Sequence, residues 1–238
     1  MPTFTHGEVS LYYEEFGSGY PILLFAPGGM GSAIEFWHRS PFDPTKEFAA
    51  DFRVIAMDQR NAGRSQGPVT AADGWHTYAA DHLALLDHLK IDRSHIMGGC
   101  IGSSYCLGLI KAAPSRISAA VLQNPIGLHE NRAAFREMFD NWAGKLPAPR
   151  RISDGDFAAF RETMYGGDFV FSVSQDFVRS CTTPMLLLCG DDLYHPAPIS
   201  DEIARLNPSI EVVKSWKSAT SAPAAVKRVR EFLKRHSS

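Results

Sequence analysis

The sequence predicts one α/β domain: a mostly parallel central sheet flanked by helices, with a small helical cap. Three observations carry this. Short, continuous apolar runs of strand length recur along the 238 residues. Between them lie segments with apolar residues three and four apart, the period of a helix packed on one face. One stretch, roughly residues 127–179, breaks that alternation. It is too small to own a core and is expected to sit over the sheet as an insert within a single domain, 1–238.

The elements follow in chain order. VSLYYEEFG mixes alternation with aromatics and reads as an edge hairpin strand. YPILLFA and FRVIAMD are apolar on both faces, as buried parallel strands must be. TYAADHLALLDHLK is helical by its spacing. SHIMGG, ISAAVLQ, TPMLLLCG and IEVVKS supply four further strands, giving seven or eight in all. HENRAAFREMFDNWAGKL and DGDFAAFRETMYGG are helix-like with mixed faces and flank the turn LPAPRR, so they form the expected cap. APAAVKRVREFLKR closes the chain with Ala224, Val226, Val229, Phe232 and Leu233 facing inward.

Composition bounds the partners. Hydrophobic residues make up 45% of the chain and the formal net charge is -2. Neither nucleic acid nor an anionic membrane surface has an electrostatic reason to bind. The amino terminus has no basic leader or apolar signal segment, and no run approaches a membrane span, so the cytosol is the expected compartment. The four cysteines, Cys100, Cys106, Cys181 and Cys189, fit neither a zinc site nor a secreted disulfide framework. No metal and no cofactor is expected.

The strongest local signal is HIMGGCIGSSYCLGLI. A strand ends at Gly98 and a helix begins around Cys100, giving Gly98-Gly99-Cys100-Ile101-Gly102. This is a G-x-S-x-G turn with cysteine at its centre. Such a turn is tight enough that the flanking positions must be nearly free of side chain, and the helix amino terminus favours the thiolate. A buried cysteine in a glycine-rich turn is the bland alternative.

Four segments together resemble the α/β-hydrolase superfamily along nearly the whole chain. FAPGGMGS is similar to the family's loop after its third strand, VIAMDQRNAGRS to the segment after its fourth, GGCIGSS to its nucleophile turn, and LLLCGDDLYHP to its acid loop. The resemblance implies that Cys100 is the nucleophile and that the N–H groups of Ile101 and Gly29 form the oxyanion hole. It implies Asp192 as the acid, with Asp191 as runner-up. Pro27 stands where the family usually has histidine, and Asn61 replaces a glycine, which a left-handed turn tolerates. Arg60 reads as structural.

The family's histidine is missing. It should follow the last strand, where this chain reads VVKSWKSATSAP, with Trp216 at about its place. His195, three residues beyond Asp192, is the first substitute and His38 the second. Trp37, His38, Tyr194 and Trp216 are expected to line the substrate pocket. A thiol depends less on a base than a hydroxyl does, so the loss is less damaging here than in a serine enzyme. The first reading is therefore a hydrolase of a small-molecule ester, thioester or lactone. Two others stay open: a lyase or C–C-cleaving enzyme using the same oxyanion hole, and a non-catalytic binding protein on a hydrolase scaffold. Oligomeric state is not legible.

Overall fold

The computed structural model describes residues 2–237. Eight strands form one sheet: β1 (Thr3–His6), β2 (Val9–Phe16), β3 (Tyr20–Phe25), β4 (Phe52–Met57), β5 (Ser94–Gly99), β6 (Ile117–Gln123), β7 (Met185–Leu188) and β8 (Glu211–Val213). Their spatial order is β1-β2-β4-β3-β5-β6-β7-β8. Only the β1–β2 and β2–β4 pairings are antiparallel; the remaining five are parallel. β1, too polar to read as a buried strand, pairs with β2 as the outer arm of the expected hairpin.

The helices are α1 (Pro44–Glu47), α2 (Trp75–His88), α3 (Ile101–Ala112), α4 (Arg132–Ala143), α5 (Asp154–Tyr165), α6 (Gln175–Ser180), α7 (Ala197–Leu206) and α8 (Ala222–Arg235). Alternate residues of each central strand feed two different cores, as the pleat requires. Leu23 and Phe25 of β3 join Ile96, Leu107, Leu122 and the residues of α2 and α3 on one face. Ile22 and Leu24 join Val54, Val121, Val229 and Phe232 on the other.

Helices α4, α5 and α6 lie between β6 and β7, where the alternation breaks. Their Phe135, Phe139, Phe160, Met164 and Tyr165 are fully buried and continue the first core without interruption. The cap helices thus have no core of their own. They are tied down by polar contacts as well: Trp142 Nε1 donates to the Asn61 carbonyl at 3.1 Å, and Asn131 Nδ2 donates to the Leu193 carbonyl at 2.7 Å.

Strand register places the loops that matter on one edge. Phe25 of β3 pairs with Gly98 of β5, Gly99 pairs with Gln123 of β6, and Gln123 pairs with Leu188 of β7. The chain therefore leaves β3, β5, β6 and β7 at one level, at the carboxyl ends of the strands, where open α/β sheets bind ligands.

Candidate active site

Cys100 sits between β5 and α3 with φ 58° and ψ −121°, a left-handed conformation that L residues rarely adopt. The turn exists because its neighbours are glycines. A Cβ on Gly98 would lie 2.0 Å from the Gly102 carbonyl oxygen, and one on Gly102 would lie 2.1 Å from that of Phe25. Hydrogen bonds then lock it: Cys100 N donates to the Gln123 carbonyl at 2.9 Å, and Ser103 Oγ donates to the Gly98 carbonyl at 2.9 Å. Cys100 as a residue is half-buried, whereas Cys106, further along α3, is buried.

The acid loop follows β7. Gly190 lets it fold back, since a Cβ there would meet the His195 carbonyl oxygen at 2.3 Å. Asp192 Oδ1 accepts the N–H groups of Tyr194 and His195, at 3.0 and 3.1 Å. The same carboxylate binds His195 Nδ1, with its oxygens 2.7 and 2.8 Å away. His195 is 14% exposed at its side chain, and its other nitrogen, Nε2, is buried and bonded to nothing else. Nε2 is close enough to Cys100 for charge to be shared, although no hydrogen bond of good geometry is formed.

The electrostatics follow from that proximity. Burial alone would push the Cys100 thiol up; the His195 charge, its N–H and the N–H groups of Ile101 and Gly28 overcome this and hold it below the ordinary thiol range. Burial would likewise push His195 down, but the Cys100 thiolate first and then Asp192 raise it to about 9. For Asp192, burial opposes ionisation, and the bond and charge of His195 outweigh it, so its carboxyl titrates below the usual range. The arrangement favours a thiolate–imidazolium pair oriented by a carboxylate.

The glycine loop after β3 brings its N–H to the sulfur one residue earlier than expected. Gly28, not Gly29, is the loop amide at Cys100. Both glycines have positive φ, 121° and 59°, so the sequence offers no means of choosing between them. Gly29 lies beneath Met138 of α4, whose sulfur would be 2.4 Å from a Cβ placed there. The loop is braced by Asp58, which accepts from Ile34 N and Arg64 N, each at 2.8 Å. Arg60 makes a two-pronged bond to buried Asp81 at 2.8 and 2.6 Å, and Asn61 takes φ 60°.

The expected pocket lining separates into three fates. Tyr194 is half-buried and lines a cavity of about 340 Å³ with Gly28, Met30, Phe36, Met138 and Trp142. Trp37 and Trp216 instead belong to the core on the far face of the sheet. Trp37 is fully buried under the turn, 3.1 Å from where a Gly99 Cβ would be. Trp216 donates Nε1 to the Cys189 carbonyl at 2.8 Å and packs edge-on against Phe42. His38 faces outward, more than half exposed, and bonds Asp43 at 2.8 Å. Asp191 is spent on an ion pair with Lys217.

Among the described residues, no three His, Cys, Asp or Glu side chains gather as metal ligands, and no helix is long and apolar enough to cross a membrane. The sequence of residues 21–191 matches the alpha/beta hydrolase fold family. A protein named as a carbamate hydrolase in Azorhizobium caulinodans is 34% identical over 127 residues, which is 52% of this chain and 44% of that protein. The chain thus matches less than half the length of that relative. Among solved structures, the meta-cleavage product hydrolase of Pseudomonas fluorescens superposes with a TM-score of 0.72 at 18% identity, over 99% of this chain and 98% of that one. The enol-lactonase of Burkholderia xenovorans does so with a TM-score of 0.70 at 21% identity, over 98% and 100%.

Proposed function

The chain belongs to the α/β-hydrolase fold family, and from that premise we propose that it hydrolyses a small ester, thioester or lactone through Cys100, His195 and Asp192. One observation carries the proposal. The His195 ring is held by Asp192 through Nδ1 and turns its otherwise unbonded Nε2 toward a sulfur on a strained turn. Nucleophile, base and orienting acid in that order are what acyl transfer needs.

The steps balance as follows. The Cys100 thiolate attacks the acyl carbon, and the carbonyl π pair moves to oxygen. The N–H groups of Ile101 and Gly28 receive that oxyanion. Its collapse breaks the bond to the leaving oxygen or sulfur, which takes the proton from His195 Nε2. An acyl-Cys100 thioester remains. Water then enters, gives a proton to Nε2 and attacks the same carbon. Collapse releases the acid and restores the thiolate beside the imidazolium. Asp192 fixes the tautomer and orientation of the ring throughout.

The placement of the base differs from the family pattern that the sequence resembles. The acid and the base share one loop, and the position expected to hold the histidine is occupied by Trp216, a core residue. Reaction with S-phenyl thioesters and p-nitrophenyl esters, followed by thiol or phenol release and by intact mass, tests the proposal. Release that vanishes in Cys100→Ala, with an acyl adduct on Cys100 accumulating in His195→Ala, is the expected result. A single equivalent of thiol or phenol released, with a lasting acyl adduct on Cys100 and no turnover in the unsubstituted protein, favours a binding role. An enolate-forming substrate that turns over in Cys100→Ala favours lysis, and either outcome removes the reading of hydrolysis through Cys100.

A further inference from the structure

Beside the nucleophile lies an aromatic box whose polar atoms have no use in the protein. Tyr105 on α3 and Tyr165 at the end of α5 are both buried, at 2% and 0% exposure. Their rings are well packed. Tyr105 meets Trp75 edge-on with centroids 5.5 Å apart, and Tyr165 stacks on Phe135 at 5.4 Å and meets Phe171 at 5.5 Å. Phenylalanine would make those contacts equally well. Yet each residue carries a hydroxyl, and neither hydroxyl has a hydrogen-bond partner. Tyr78 lies beside Tyr105, centroids 5.0 Å apart, near enough for the two hydroxyls to act on each other without a bond of full geometry; the Tyr165 hydroxyl has no such contact. Buried tyrosine hydroxyls normally find a partner, so a pair left without one points to an acceptor supplied from outside.

The box connects to the reacting centre. Phe135 also meets Tyr194 edge-on at 5.6 Å, and Tyr194 precedes His195. Tyr105 stands on the helix that Cys100 begins. Burial first raises both hydroxyls well above the ordinary phenol range; the neighbouring phenols and then the Cys100 charge add to this at Tyr105, and the Cys100 charge and then Tyr78 at Tyr165. Phe171, edge-on to both Tyr165 and Phe135, is held at φ 65°, a conformation that bulky side chains adopt only when their surroundings impose it.

We propose that Tyr165 and Tyr105 form the polar end of the acyl pocket, where their hydroxyls donate to a neutral oxygen carried by the acyl group several bonds from the scissile carbonyl. This rests on the hydrolytic reading for the word acyl, but not for the binding itself. The acceptor is neutral because the charges that act on the box are negative or paired. His82, edge-on to Tyr105 at 5.5 Å, is driven by burial to a pKa of about 3 and is uncharged. The phenols stay protonated. Beyond Tyr78 the Arg60–Asp81 pair, with bonds of 2.8 and 2.6 Å, is neutral as a unit, and Asp73 adds a negative charge. A carboxylate would meet the charges of Asp73 and the Cys100 thiolate, both of its own sign. A ketone or hydroxyl oxygen would find two donors among apolar walls, the arrangement that selects for an oxygen at one position.

Binding is measured calorimetrically in Cys100→Ala protein, with 4-oxopentanamide and 5-oxohexanamide against their hydrocarbon isosteres, 4-methylpentanamide and 5-methylhexanamide. At least one oxo amide is expected to bind about tenfold more tightly than its isostere. Tyr165→Phe is expected to erase that preference by weakening the oxo amide alone, and Tyr105→Phe to reduce it. Should one variant fail to fold, the other carries the same comparison. Equal affinity for the members of both pairs, no binding of the oxo amides at millimolar concentration, or Phe variants that weaken both members alike would overturn the proposal. Turnover of the matching S-phenyl thioesters by the unsubstituted protein is read separately. No turnover with the preference intact removes hydrolysis and keeps the subsite; turnover without the preference does the reverse.

Discussion

Cys100 and His195 set each other's charge, and the first expectations concern that pair. Iodoacetamide should modify Cys100 well before Cys106 or Cys189, whose thiols burial raises. Peptide mapping of the folded protein reads this, and equal rates at the three sites would contradict it. The rate at Cys100 should titrate below the ordinary thiol range, and His195→Ala should move that titration upward. The same substitution should lower kcat/KM by roughly 10² or more. In the unsubstituted protein, acylation should rise with pH as the thiolate forms and fall again near pH 9, as the imidazolium that protonates the leaving group is lost. Trp216→Ala should act differently: about 3 to 5 kcal/mol of stability lost by truncating a buried indole, measured by urea unfolding. Sequence placed Cys100 on the turn after β5 and Asp192 on the loop after β7 because the glycines and the Gly-Asp-Asp run have fixed spacing. It could not say whether Trp37 and Trp216 faced the pocket or the opposite core, because an aromatic residue in a loop carries no periodicity that assigns a face.

At the scale of elements, the turn between β5 and α3 tolerates little change. Gly102→Ala puts a methyl group 2.1 Å from a backbone carbonyl oxygen of β3, which no rotamer change can relieve. A loss of about 3 kcal/mol or more is expected by thermal or urea melts, with labelling of Cys100 disturbed as well. Gly108→Ala on the same helix is the contrast, since the nearest atom to its new methyl is 3.9 Å away. It should leave stability unchanged or slightly raised. The strands were legible as apolar runs because both faces of a parallel sheet are covered. β8 is the exception: Glu211–Val213 is only three residues long and half-exposed, so IEVVKS promised more strand than the edge of the sheet keeps. The cap was legible only as an interruption. Helix α6 and the single 3₁₀ turn Ala148–Arg150 ahead of α5 are too short to show a period.

The whole molecule should have a stability plateau with a sharp acid edge. His82 and His95 are buried, and burial lowers both from 6.5 to about 3. Folded, they stay neutral; unfolded, they take up protons below about pH 6.5. Stability is therefore complete above that value and falls as the pH drops toward 3, by about 2 to 3 kcal/mol per unit at the steepest. His195 has the opposite sign. Its raised pKa stabilises the fold fully below 6.5, and this is lost as pH rises through about 9. The lowered Cys100 thiol contributes with the reverse sign and offsets that loss between those limits, where the folded pair and the unfolded pair each hold one proton. Urea unfolding from pH 5 to pH 9 checks this; a flat profile between pH 7 and pH 5 would contradict it. The two-sided core behind the plateau was readable from the strand runs, but which histidines it encloses was not. His95 opens a strand and His82 lies within a helix, and both are buried.

The joining of Asp192 and His195 on one loop has a consequence for how thiol reactivity returns after denaturation. The Asp192–His195 bond closes over three residues, so it costs little chain entropy and is available as soon as the loop forms. The meeting of His195 with Cys100 is remote in sequence and waits until β7 has docked beside β6 and β6 beside β5. Neither partner belongs to β8 or α8. Recovery of thiol reactivity on dilution from urea should therefore track burial of the central strands, while the carboxyl-terminal helix, seated on the opposite core, can dock later without delaying it.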